Sequence, residues 1–209
     1  MPVDNPFVVH IGEYEEWFEK YPLVFQTELR ALKSLMPVGE ALEVGVGSGR
    51  FAVPLKVAMG VDPCLEMLSL AHQRGIRTAL GRAEALPLTA GRFDCLLLIT
   101  VLCFLTDPER ALREARRVLR PDGHLLLAFI DRHSPLGRET HRHRQKSSFY
   151  RQAHFYSSHE VLALLEGAGF KDFSCCQTIF RPLPEIDAGE EVRTGCGQGA
   201  FVVVRVSRE

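Results

Sequence analysis

The clearest chemistry in the chain lies in seven residues, Glu43-Val44-Gly45-Val46-Gly47-Ser48-Gly49. They end a strand-like run, 40–45, and open a segment that the pattern makes a short helix to about Lys56. Glycine lets the backbone turn sharply and pass close to a ligand. Amides left bare at a helix start suit a carboxylate or a phosphate. Spacing narrows the choice. A dinucleotide fingerprint, GxGxxG, needs glycine at position 50, where the chain has Arg50. No Gly-Lys-Ser/Thr follows, which excludes a P-loop. Val61-Asp62-Pro63 then ends the next strand. A carboxylate there can accept from both hydroxyls of a ribose, and it can also cap the helix that follows.

With these residues the chain resembles the class I methyltransferases that use S-adenosylmethionine (SAM), from about residue 40 to the C-terminus. Within that class it is most similar to the small-molecule group that includes ubiquinone- and menaquinone-biosynthesis-type enzymes. Further segments carry the likeness. Gly81-Arg82-Ala83-Glu84-Ala85-Leu86-Pro87-Leu88 is similar to the family's Gly-Asp-Ala-Glu-x-Leu-Pro-Phe, and 117–124 to its Leu-Lys-Pro-Gly-Gly turn. The resemblance implies SAM as cofactor. It implies contacts from Glu43, Gly45, Val46, Gly47 and Gly49 in the glycine turn, and from Asp62 and Pro63 at the ribose. Met67 falls near the adenine, or is a plain core methionine. The Ala83 amide meets the adenine ring. Arg82 stands where the family has Asp, so Glu84 is left to accept from the exocyclic amine, unless that amine faces water. The Thr100 carbonyl falls near the methionine amino group, with Val101 and Leu102 beside the cofactor.

Upstream, Tyr14 and Trp17 admit two readings. They close over the cofactor, whose sulfonium an aromatic face attracts by roughly 0.5–2 kcal/mol, or Trp17 and Phe18 only dock the N-terminal helix. In-line transfer from a sulfonium leaves the hard chemistry to the cofactor. Alignment in a dry site supplies roughly 7–11 kcal/mol. A base is therefore optional; Tyr14, His133 and His154 are candidates, and no catalytic residue is assigned. The basic run His141–Lys146 is a solvated loop or a seat for an anionic substrate. No Asn/Asp-Pro-Pro-aromatic follows the central strand, which argues against nucleobase amino-methylation. Metal-dependent transfer would need acids at the strand ends, and Asp107 and Asp131 stand there without other support, so no metal is expected. Two rivals stay open: a SAM- or S-adenosylhomocysteine-binding regulator without catalysis, and an NAD(P)-dependent oxidoreductase, against which the GxGxG spacing argues.

These residues need a scaffold that brings strand ends together. Strand and helix signals alternate, which predicts an α/β, Rossmann-like, doubly wound mixed sheet. Seven strands are expected, at 40–45, 57–61, 76–80, 93–100, 124–130, 170–180 and 200–206. Lacking a helix between them, the last two should pair as an antiparallel hairpin. Helices are expected at 13–20, 23–36, 64–73, 108–119, where Asp107 caps and Pro108 opens, and 158–168, capped by Ser158. Pro121-Asp122-Gly123 makes a turn. The chain is expected to form one domain over 1–209, with 1–37 as an N-terminal helical cap and the irregular stretch 131–157 as a lid.

Bulk properties agree. The chain has 209 residues, 46% of them hydrophobic, and a net charge of −1, which gives no support for a nucleic-acid partner. Met1 to His10 has neither a basic nor an apolar leader region, and no apolar run is long enough for a membrane. A cytoplasmic protein acting on a small molecule is expected. The six cysteines form no CxxC pair and no zinc spacing, so they read as reduced, buried thiols.

Overall fold

The computed structural model describes residues 6–209; the part of the leader and cap readings that falls on residues 1–5 lies outside them. An eight-stranded sheet has the order β3-β2-β1-β4-β5-β8-β6-β7. Its strands are β1 (Ala41–Val44), β2 (Met59–Asp62), β3 (Arg77–Leu80), β4 (Phe93–Ile99), β5 (Leu119–Ile130), β6 (Phe170–Thr178), β7 (Arg193–Thr194) and β8 (Phe201–Arg208). The first five pair in parallel. Strand β8 runs antiparallel between β5 and β6, as the helix-free tail predicts. The extra strand, β7, adds two residues at the β6 edge, too short to leave a sequence pattern.

The helices are α1 (Pro6–Val9), α2 (Ile11–Lys20), α3 (Pro22–Leu35), α4 (Leu65–Gln73), α5 (Pro108–Val118), α6 (Pro135–His143) and α7 (Ser158–Gly167). Side chains alternate across a strand. Cys95, Leu97 and Ile99 of β4 therefore join the apolar layer of α2, α3 and α4, while Leu96 and Leu98 join that of α5 and α7. Burial on both faces explains the unbroken apolar run of β4. Helix α5 begins as expected: the Asp107 side chain accepts from the Arg110 amide, with Pro108 at the first position.

Four local expectations are corrected. Residues 50–56 form successive turns rather than a helix. Pro54 cannot donate to the ladder, and Lys56 takes a φ of 58°. The stretch 131–157 is not irregular, because α6 lies inside it, with Ser134 capping through the Gly137 amide. Helix α7 is capped by Ser157, not Ser158, in a reciprocal bond with Glu160. The turn at 121–123 sits inside β5 as a bulge: Leu119 pairs with Phe93 and His124 with Cys95.

Cys64, Cys95 and Cys176 are buried, whereas Cys103, Cys175 and Cys196 are only half-buried. Among the described residues, no helix is long and apolar enough to cross a membrane, and no cluster of three or more His, Cys, Asp or Glu could hold a metal ion.

Candidate active site

The strand order turns back between β1 and β4, which opens a crevice outside their carboxyl ends. The glycine turn lies there. Gly45 and Gly47 have φ of 76° and 52°, the left-handed region where side chains are strained. A Cβ on Gly45 would run into Val101, so the ends of β1 and β4 are in tight contact. A Cβ on Gly47 would stand 3.2 Å from the Tyr14 hydroxyl, which places the phenol directly over the turn.

Asp62 ties the second strand to this turn. Its Oδ2 accepts from the Gly47 amide at 2.9 Å, and its Oδ1 accepts from the Cys64 amide at 2.9 Å. It thus fastens both the glycine turn and the approach to α4. Burial pushes its carboxyl up, against the pull of those bonds. Glu43 is 2% exposed, and its Oε2 has no partner among the described residues. Burial, and then the charge of Asp62, push its carboxyl well above the usual range. At the end of β4, Thr100 holds a φ of 54°. That is costly for a β-branched residue, about 1–3 kcal/mol, and such strain clusters at functional sites. The Thr100 amide donates to Ala128 at 2.8 Å, which pins it.

The structure thus gathers Tyr14, Glu43, Gly45, Gly47, Asp62, Thr100 and Val101 at the strand ends. Val46 and Gly49 lie in the same turn and pack inward, Val46 against Gly60 and Gly49 against Ile76. Pro63 is half-buried in the link to α4, and Met67 is fully buried within that helix. Ala83 is buried as well.

Glu84 and Trp17 have contacts of their own. Glu84 Oε1 accepts from the Thr106 amide at 3.1 Å, and Oε2 lies 3.5 Å from Arg82. Burial opposes its charge, but bonds from its own amide and that of Thr106 win and lower its carboxyl. Glu84 therefore clamps two loops together, with both oxygens engaged. Trp17 packs on Phe18 and Tyr21 within the helical cap, at 5.2 and 5.7 Å between centroids.

The three candidate bases fare poorly. Burial, then Glu43, Glu15 and Asp62, raise the Tyr14 phenol, so it keeps its proton and is a poor base. His133 and His154 are exposed. The basic run is solvated too, with His141, Arg142, His143 and Lys146 all exposed. Asp131 is occupied, accepting from the His133 and Ser158 amides and the Ser158 hydroxyl.

Several residues that matter here escaped the sequence reading. Arg50, the residue that breaks the dinucleotide spacing, donates to Glu15 of α2 at 2.9 Å. Arg74 also binds Glu15, at 2.6 Å, and the Ser48 carbonyl at 2.6 Å. Burial works against the charge of Glu15, yet the bonds from Arg74 and Arg50 hold its carboxyl down at about 2. This clasp fastens the cap to the glycine turn. From the other side, Phe149 of the 131–157 segment meets Phe7 at 5.3 Å and Tyr14 at 6.5 Å. Glu28 of α3 is 6% exposed although it is an acid. It stands on the buried stripe Val24, Thr27, Ala31 and Leu32, and that lone acid on a helical apolar stripe was the signal that could have found it. A separate open groove between α5 and α7, lined by Arg113, Arg116, Tyr156 and Leu164 among others, includes no residue of the glycine turn.

Known proteins place this geometry. Residues 42–127 match the family described as a methyltransferase domain. A SAM-dependent methyltransferase from Thermotoga maritima, described as a possible histamine N-methyltransferase, is 44% identical; the match covers 98% of this chain and 99% of that one, with a TM-score of 0.96. An uncharacterized protein of Methanocaldococcus jannaschii is 39% identical over 98% of this chain and 99% of its own. An uncharacterized methyltransferase of Mycobacterium tuberculosis is 33% identical over 61% of this chain and 53% of its own. These names support neither rival reading, and they carry the class rather than the ubiquinone-type subgroup. Matched across nearly its whole length, and with GxGxG at the switch point of its sheet, the chain belongs to the class I SAM-dependent methyltransferases.

Proposed function

We propose that the crevice at the ends of β1, β2 and β4 is the SAM seat, and that the protein transfers the methyl group to a small molecule enclosed by the cap and the 131–157 segment. The observation that carries this is the Asp62–Gly47 bond beneath the Tyr14 hydroxyl. The residues present suit the cofactor. Glu43 has a buried, unpartnered oxygen for an ammonium group; Asp62 can exchange its amide contacts for ribose hydroxyls; a side chain at 47 would fill the passage. When bound, SAM would supply an electrophilic methyl for an acceptor lone pair, the electron pair of the broken carbon–sulfur bond remaining on sulfur.

The chain's own residues then bind, align and exclude water. Tyr14 keeps its proton and points a donor at the turn, the rings of Phe7, Phe104 and Phe149 close the cleft, and the Glu15 clasp holds the cap down. Pro63, Met67, Ala83 and Val101 complete the seat, with Thr100 offering its carbonyl. The description of the Thermotoga neighbour makes amines the first acceptors to screen.

Calorimetry tests the cofactor assignment: S-adenosylhomocysteine should bind, and NAD should bind far more weakly. NAD binding more tightly than S-adenosylhomocysteine would overturn it.

A further inference from the structure

The six cysteines of the chain are not equally placed. Cys64 Sγ lies 3.3 Å from Glu66, Cys103 donates to the Thr100 carbonyl, and Cys176 meets Ser34 and the Ala31 carbonyl of α3. Cys95 is sealed inside β4. Cys175 and Cys196 are the two that meet each other. Both are half-buried, and the Cys196 side chain is a hydrogen-bond partner of the Cys175 thiol.

The backbone explains the meeting. Strand β7 pairs with β6 through Cys176–Thr194 and Gln177–Arg193. One step further, the Gly195 amide donates to the Cys175 carbonyl at 2.9 Å. Side chains alternate across a strand, so a regular continuation of β7 would put Cys196 on the face of Thr194 and Cys176. Gly195 breaks that alternation with a φ of 93°. Cys196 therefore packs on the apolar layer of α5 and α7, as Cys175 does, while Cys176 belongs to the opposite layer. The pairing beside them is slight. Strand β7 has two residues, both exposed, and it covers the β6 edge of the sheet.

We propose that Cys175 and Cys196 are a dithiol that closes to a disulfide when it meets a low-molecular-weight disulfide such as oxidised glutathione, and that the new bond staples β7 onto the sheet edge. The Cys196 thiolate attacks one sulfur of the oxidant and releases the first small thiolate, leaving a mixed disulfide. The Cys175 sulfur then attacks the Cys196 sulfur; the bond between the two cysteines forms and the second small thiolate leaves. Each cysteine gives up one proton and each departing thiolate takes one, so the cysteines are oxidised as the small disulfide is reduced. Burial, then the neighbouring Cys196, push the Cys175 thiol up, which leaves the first attack to Cys196. The staple lies at the β7 end of the sheet, four strands beyond β4, and does not rest on the assignment of the cofactor seat.

The test equilibrates the full chain with oxidised and reduced glutathione at graded ratios and maps its peptides by mass spectrometry without reduction. Cys175 and Cys196 should be joined, with the loss of two hydrogens. In the oxidised form, amide exchange at 193–196 should slow by about tenfold or more, and the protein should melt above its reduced form because the bond closes the loop 176–195. Cys175→Ser and Cys196→Ser should each abolish the link and the slowing. A link through Cys103 or Cys176, dimers joined between chains, or glutathione adducts that never resolve to an internal bond would overturn the proposal. So would an internal bond that leaves exchange at 193–196 unchanged. The wild-type map and exchange need no substitution, so they decide the question even where a serine variant fails to fold.

Discussion

The two ends of the cleft are built differently. At the glycine turn, the contacts run through the backbone and are largely satisfied within the protein: Gly47 bonds Asp62, and Gly45 and Val46 both donate to the Val61 carbonyl. At the far end, rings from α1, the segment after β4 and the segment after β5 meet as a wall. The first end is rigid and suits one invariant ligand. The second is assembled from distant pieces, and its side chains can be exchanged without disturbing the turn. Backbone geometry can fix what every reaction cycle shares, while side chains on separate elements fix what is particular.

Four experiments can break this division or sharpen it. The largest effect is expected at Gly47. Gly47→Val should abolish S-adenosylhomocysteine binding in calorimetry, because a branched side chain meets both a φ of 52° and the Tyr14 hydroxyl. A folded variant with normal affinity would move the ligand elsewhere. Next, Asp62→Ala should weaken binding by about 1–3 kcal/mol, roughly fivefold to 150-fold, as charge-assisted bonds are lost. Unchanged affinity with an intact fold would reduce Asp62 to a tie between segments.

A smaller effect is expected at the clasp. The Glu15 carboxyl, held down at about 2, adds stability above its ordinary value near 4.5, and that stability is lost as pH falls toward 2. The fluorescence of Trp17, the single tryptophan of the chain, should report loosening of the cap across that window. Glu15→Gln should remove most of this acid dependence and cost about 1–2 kcal/mol at neutral pH. An identical acid profile in the variant would show that the cap is held by its rings alone. The smallest effect on ligands is expected at Ser157. Ser157→Ala should cost about 1 kcal/mol of stability in denaturant melts by removing the α7 cap, and leave S-adenosylhomocysteine affinity unchanged. A weakened affinity would mean that the α7 face also feeds the cleft.

The same division explains what could be read from the sequence. The glycine turn was legible because glycine takes φ values of 76° and 52° without strain, so backbone demand appears directly as residue type. Strand β4 was legible because burial on both faces leaves an unbroken apolar run. Helix α6 was missed although Ser134-Pro135 opens it, because Leu136 is its only large apolar residue and no helical period forms. The supposed helix after Gly49 was read too generously past Pro54. Glu28 was passed over because an acid inside a helix looks solvated until its stripe is counted. Trp17 and Phe18 could not be told apart by type; only packing shows that Phe18 is buried against Phe25 and Phe51 while Trp17 stays at the rim of the cap.

Arg50 carries one further consequence. A single change, Arg50→Gly, would restore the dinucleotide spacing at the turn, yet it would also take away one of the two arginines that hold Glu15 of α2, leaving the clasp to Arg74. The residue that breaks the dinucleotide spacing thus also helps to hold down the helix beside the glycine turn, so the fingerprint and the roof share a side chain.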